Sequence, residues 1–268
     1  VTRVVATSRV LASVARATSF APHEGLVEQL ETHASPIAAT EPLARGWLLA
    51  ARALSAAWSG DVSAEAALTG EAAAAFAEAG DARSSCVHRV RAALALTHLG
   101  AFGDAEILLH AVVADADRLG LPSLLLLARQ TLGQLYTRRG DVSAARAVLR
   151  DCLERAKEQG STFDEGVTYV YLAGTSRVAN DQAAAEREAR AAIERLQGSR
   201  YYNAGAQALL AMALVDQGRA PEALPFADAA MTTLRELGGA VEGELIIHLA
   251  WAEALGSTGD EARANPFV

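Results

Sequence analysis

Lysine is nearly missing from this 268-residue chain, where Lys157 stands alone among 24 basic residues. Against 32 acidic residues the formal net charge is −8, so the clustered positive charge that a general nucleic-acid surface needs is lacking. The arginines are spread through the chain and balanced by acids, with no basic recognition helix. Cysteine is scarce too. Cys86 and Cys152 lie far apart in helical text, and no CxxC or Cys/His cluster supports a disulfide or metal role; both read as small buried hydrophobes in a reducing cytosol. No stretch of eighteen apolar residues is present, which argues against a membrane span. The opening "VTRVVATSRVLASVARATS" is weakly basic and amphipathic but has no continuous apolar core, unlike a secretory signal. A cytoplasmic location is the expectation.

Catalytic signatures are equally scarce. The sequence holds no GxxxxGK[ST] phosphate loop, and its one lysine lies in "RAKEQGS". Glu106 and His110 are four apart on one helix face, but without the second histidine of HExxH they read as a solvated pair rather than a metal site. His23, His33, His88, His98, His110 and His248 show no ligand spacing. No serine or cysteine sits in a nucleophile elbow. Acidic runs such as "EREARAAIER" read as solvated helix faces with i,i+4 pairs, for example Glu186 with Arg190. The expectation is a non-enzyme with no metal and no cofactor.

What remains is rich in alanine, leucine, glutamate and arginine, the best helix formers, with only 5% aromatics. The fold class expected is all-α. The alanine excess and the preference for arginine over lysine read as the mark of a GC-rich bacterial genome.

The glycines are spaced with unusual regularity. Gly60, Gly80, Gly100, Gly120, Gly140, Gly160, Asn180, Gly198, Gly218, Gly238 and Gly259 recur at intervals of 18 to 21 residues. Glycine and asparagine tolerate the left-handed conformation that ends helices, so each marks a helix C-cap. Asp61, Asp104, Asp141 and Asp181 are N-caps or first-turn acids for the helices that follow. The unit is helix, tight turn, helix, looser turn, with a period of about forty residues, the signature of a solenoid.

Aligning the units exposes a register. Seven residues before the first glycine stand Ala53, Ala93, Gly133, Ala173, Ala211 and Ala252, all small, as close helix approach requires. Five after it come Ala105, Ala145, Ala185, Ala223 and Ala264; twelve after it, Ala72, Val112, Cys152, Ala192 and Ala230. One place further, Val113, Leu153, Ile193 and Met231 are larger and fill the space between hairpins.

In this register the chain resembles the tetratricopeptide repeat (TPR). "LGQLYTRRGDVSAARAVL" carries Leu132, Gly133, Tyr136, Gly140 and Ala145 at the family's slots, and "LLAMALVDQGRAPEAL" from Leu209 matches nearly as well. The period is about forty rather than thirty-four, so the helices should be longer. The family's tryptophan is missing, with Tyr169 in that slot of one unit. The resemblance implies an α-α superhelix, a TPR-like solenoid of about six helical hairpins. The long-period variety is similar to the sensor and scaffold arms of bacterial regulators and repeat-bearing kinases.

The chain is therefore expected to form a single helical-repeat domain over residues 1–268: an irregular N-terminal hairpin over 1–41, then five regular repeats and a further first helix over 42–259. "GDEARANPFV" stops at Pro266, so residues 260–268 read as a truncated or uncapped end, covered by another domain or a partner. Exposed solenoid ends leave room for a homodimer.

In the family it resembles, the first helices line a concave groove. Transferring that register places groove residues two, three, six and ten before each first glycine. The most polar set is Gln130, Gln134, Thr137 and Arg138, with Arg177 in the next unit; two arginines beside amides can hold a carboxylate or the backbone of an extended peptide. Tyr169 and Tyr171 read as packing residues. The expected function is a protein-interaction scaffold that binds a peptide or partner domain in this groove. The alternative is a ligand-sensing arm that takes a small-molecule effector and serves a transcriptional regulator or kinase-type signalling protein. Neither a nucleic acid nor a membrane is an expected partner.

Overall fold

The computed structural model describes residues 23–239 and 243–258. Among them are twelve α-helices: α1 (His23–Ala38), α2 (Pro42–Trp58), α3 (Val62–Glu78), α4 (Ala82–His98), α5 (Phe102–Arg118), α6 (Pro122–Arg139), α7 (Val142–Glu158), α8 (Thr162–Val178), α9 (Gln182–Arg195), α10 (Arg200–Asp216), α11 (Ala220–Leu237) and α12 (Glu244–Thr258). Residues 1–22 of the expected N-terminal hairpin and the end at 260–268 lie outside the described residues.

The turn between α6 and α7 shows why the spacing is so even. Gly140 adopts φ +85°, a left-handed conformation that costs a side chain energy and glycine nothing. Its N–H donates to the Thr137 carbonyl, and the next N–H, that of Asp141, donates to the Tyr136 carbonyl at 2.8 Å. The Asp141 carboxylate then accepts from the Ala144 N–H at 3.1 Å. One three-residue turn thus closes one helix and caps the next. Asp61, Asp81 and Asp181 do the same at 2.9, 3.0 and 3.1 Å. Asp104 is a first-turn acid of α5, without a capping bond at that terminus. Asn180 holds the left-handed place at φ +57°. Gly198 is the exception: α9 stops at Arg195, and Gly198 is not left-handed.

The turns expected to be looser are equally tight. Ala79, Gly80 and Asp81 join α3 to α4 as Ser59, Gly60 and Asp61 join α2 to α3, because the same glycine and aspartate chemistry operates at both. The connections leave seventeen residues for most helices, long enough to account for the forty-residue period.

The chain divides into two compact units, residues up to Leu135 and from Tyr136, with the boundary inside α6. In the first unit, α1 and α2 bury Leu30, Ala34, Leu48, Ala51 and Leu54 beside Trp47 and Trp58. Phe76 is fully buried edge-on to Trp47, with His88 beside it. In the second, α8 to α12 enclose a core of Leu209, Leu210, Met212, Leu214, Met231, Leu234 and Ile247. Tyr169 and Tyr171 pack against its satellite clusters, as their register implied.

The small-residue slots are buried as expected at Ala53, Ala93, Ala173 and Ala211, at Ala105, Ala145, Ala185 and Ala223, and at Ala72, Val112, Cys152, Ala192 and Ala230. Gly133 is buried as well, whereas Ala252 is exposed and Ala264 is outside the described residues. Close approach is tightest at Gly166 in α8, where a Cβ would lie 2.5 Å from Leu196 Cγ. Replacing Ala173 by Trp is expected to lower stability by at least about 1–3 kcal/mol through overpacking. An unchanged thermal midpoint would show that this slot does not set hairpin spacing.

His88 gives the first unit a pH dependence. Burial in the Trp47–Phe76 cluster outweighs the hydrogen bond from its Nδ1–H to the Ser84 carbonyl and lowers its pKa from 6.5 to about 4. As pH falls below the unfolded value, the unfolded chain takes up a proton that the folded chain refuses, so stability declines down to about pH 4. The loss should total on the order of 3 kcal/mol. Urea unfolding between pH 7 and 4.5 should show this decline in the wild type and a shallower one in His88→Phe. Parallel slopes would remove His88 as the cause.

Candidate functional site

Of the residues expected in the groove, Gln130 and Gln134 fall in the first unit and Thr137, Arg138 and Arg177 in the second. Gln130 is only 3% exposed. It shares its slot, ten before the glycine, with Val90 and Ala208, which are also buried. The slot is not uniform, since Leu249, ten before Gly259, is 45% exposed; at Gln130 the side chain itself is covered and does not line an open face. Gln134 is half-buried and Arg138 is exposed near the end of α6.

Thr137 and Arg177 are both engaged within the second unit. The Thr137 and Thr175 hydroxyls meet at 2.7 Å, and Thr175 also donates to the Tyr171 carbonyl. This pair ties the end of α6 to α8. Arg177 donates from Nε to Asp216 Oδ2 on α10 at 2.9 Å, and its Nη2 lies 3.9 Å from Glu253 Oε2 on α12. Arg177 is therefore not an isolated cation awaiting a carboxylate. It is the centre of a charged line across three successive first helices, α8, α10 and α12.

The electrostatics of that line run towards acid, with one guanidinium facing two carboxylates. Burial raises the pKa of Glu253; Arg177 lowers it and Asp216 raises it again. Glu253 Oε2 is buried with no hydrogen-bond partner among the described residues. Glu253 lies six before Gly259, the slot of Gln134 and Gly174, so the same arithmetic that selected the other residues reaches it once the last first helix is included. Around the charges are exposed apolar side chains: Val178, adjacent to Arg177, is 54% exposed. Leu249 and Leu245, one and two turns before Glu253 on α12, are 45% and 79% exposed. The arrangement can offer charge-assisted hydrogen bonds and apolar contact along one helix face.

Other charged pairs lie within one helix or between neighbouring ones. Glu106 and His110 stand 3.9 Å apart and Glu186 and Arg190 2.8 Å apart, each within one helix. Arg146 reaches Ser176 at 3.2 Å and Asp181 at 3.2 Å, and Ser176 donates to Glu188 at 2.7 Å, a network that joins α7, α8 and α9. No described helix is long and apolar enough to cross a membrane.

Solved structures that resemble this chain include two that match most of its length. The crystal structure of NprR in complex with its cognate peptide NprX matches 92% of this chain and 73% of that one, with a TM-score of 0.70 and 13% identity. BtubC (BKLC) from P. vanneervenii matches 75% of this chain and 84% of that one, with a TM-score of 0.58 and 19% identity. No protein-family model and no curated protein matches the sequence. At these identities the likeness establishes the fold, an all-α helical repeat.

Replacing Arg177 by Met leaves Asp216 and Glu253 near each other without their cation. The expected cost is about 1 kcal/mol at pH 7, as for other half-exposed ion pairs. The loss should shrink as acidification protonates the carboxylates. Equal unfolding midpoints for wild type and variant at pH 7 would show that Arg177 does not tie these helices together.

Proposed function

We propose that this chain is a non-enzymatic binding arm of the TPR type, which holds an extended peptide or partner segment against its first helices. The observation that carries this reading is the line of Arg177, Asp216 and Glu253 across α8, α10 and α12. A stack of helices repeats its face at regular intervals, so a peptide laid across them meets one hydrogen-bonding group per hairpin. Exposed Val178 and Leu249 supply apolar contact beside the charges, and exposed Arg138 adds a further cation on α6. NprR, which has a similar fold, is solved in complex with its cognate peptide, and this supports a peptide as the partner here. In a bacterial cytoplasm such an arm serves as a scaffold or as the sensing part of a signalling protein.

The test is selection from a random-peptide display library followed by fluorescence anisotropy on the intact chain. A selected peptide should lose at least about tenfold in affinity, or about 1.4 kcal/mol, with Arg138→Glu or Val178→Asp while helicity is unchanged. Failure to select any competable peptide, or indifference to both substitutions, would overturn the reading.

A further inference from the structure

A cavity lies in the first unit, on the side of the second helices α3 and α5. It is a half-open cleft with a volume of about 530 Å³. The repeat register explains why it exists. At thirteen residues after the first glycine, later units carry Val113, Leu153, Ile193 and Met231, whereas the first carries Ala73. At ten after it, His110, Arg150 and Arg190 are matched by Gly70, where a Cβ would meet nothing within 4 Å. At seventeen after it, Asp117, Lys157 and Arg235 are matched by Ala77. Helix α3 thus has only alanine at thirteen, where later units bury or half-bury a larger side chain, and its exposed Gly70 and Ala77 add no bulk beside it.

The wall opposite is charged. Asp115 on α5 accepts from Arg89 Nη2 at 2.6 Å through one oxygen and from Arg118 Nη2 at 3.0 Å through the other. These are the charged side chains that line the cavity, two positive and one negative. One carboxylate therefore holds two guanidiniums in place and leaves a net positive charge with unused N–H donors. Arg89 Nη2 also meets the weak acceptor Cys86 Sγ, at 2.9 Å, and its Nε is buried with no hydrogen-bond partner among the described residues. Arg118 is 70% exposed, and the N–H groups it does not give to Asp115 are open to an incoming anion.

From the alanine-lined floor and this doubly held arginine pair, we infer a binding site for a small amphipathic carboxylate. Its apolar body lies along Ala73, Ala74 and Ala77, and its carboxylate meets Arg118 and Arg89. An aliphatic or aryl-alkyl acid has this chemistry. A neutral amide lacks the charge, and an ammonium would be repelled. The site is independent of the peptide face and uses none of its residues.

Isothermal titration of the intact chain with octanoate and 4-phenylbutyrate, against octanamide, tests this site. At least one acid should bind saturably at a single site, with octanamide at least about tenfold weaker. Ala73→Leu should abolish binding and raise the thermal midpoint, because it restores the large residue that the other units carry. Gly70→Leu closes the cavity from an exposed helix position and keeps the test open if Ala73→Leu folds poorly. Arg118→Gln should weaken the acids and leave octanamide unchanged. Absence of saturable binding by both acids, equal binding of the amide, or binding indifferent to Gly70→Leu would each overturn the assignment.

Discussion

Everything in this chain rests on a turn in which a left-handed glycine is followed by a residue that caps the next helix. At Gly140 and Asp141 the backbone N–H groups close α6, and the aspartate carboxylate opens α7. Both ends of adjoining helices have their polar groups satisfied within three residues, so no long loop is needed. Repetition of that turn fixes helix length, and equal helix lengths keep the packing slots of successive hairpins in step. Small residues at those slots then allow close helix approach, and Gly166, outside the slots, lets Leu196 come closer still.

Within this frame, function is left to positions that the repeat does not need. The first-helix face of the second unit carries Arg177, Asp216 and Glu253, each with its side chain partly exposed. The ion pairing of Arg177 with Asp216 ties α8 to α10. The second-helix side of the first unit shows the opposite case, an irregularity in the packing slots themselves. Ala73 and Gly70 leave a gap where later repeats have bulk, and Asp115 arranges two arginines beside it.

Much of the architecture was legible from residue identity. The breakers from Gly60 to Gly160, with Asn180 after them, set the helix ends, and aspartates such as Asp141 announced the caps. Tyr169 and Tyr171 could be assigned to packing from register alone. Less was legible at the site. The slot rule placed Gln130 on an open face, although it is buried with Val90 and Ala208, because spacing from a turn gives an angle around a helix and says nothing of how closely neighbours stand. It also treated Arg177 as an available cation. The partners that engage it, Asp216 and Glu253, lie 39 and 76 residues away in sequence.

Residue order alone settled the local events: where each helix starts and stops, which turn joins the next, and which positions must be small. These follow from backbone stereochemistry and contacts within a few residues. Packing in three dimensions settled which charged groups meet across helices, which slots are covered, and where missing side chains leave a cavity. Such properties depend on distances between hairpins, and a periodic pattern fixes those distances only once the helices have packed.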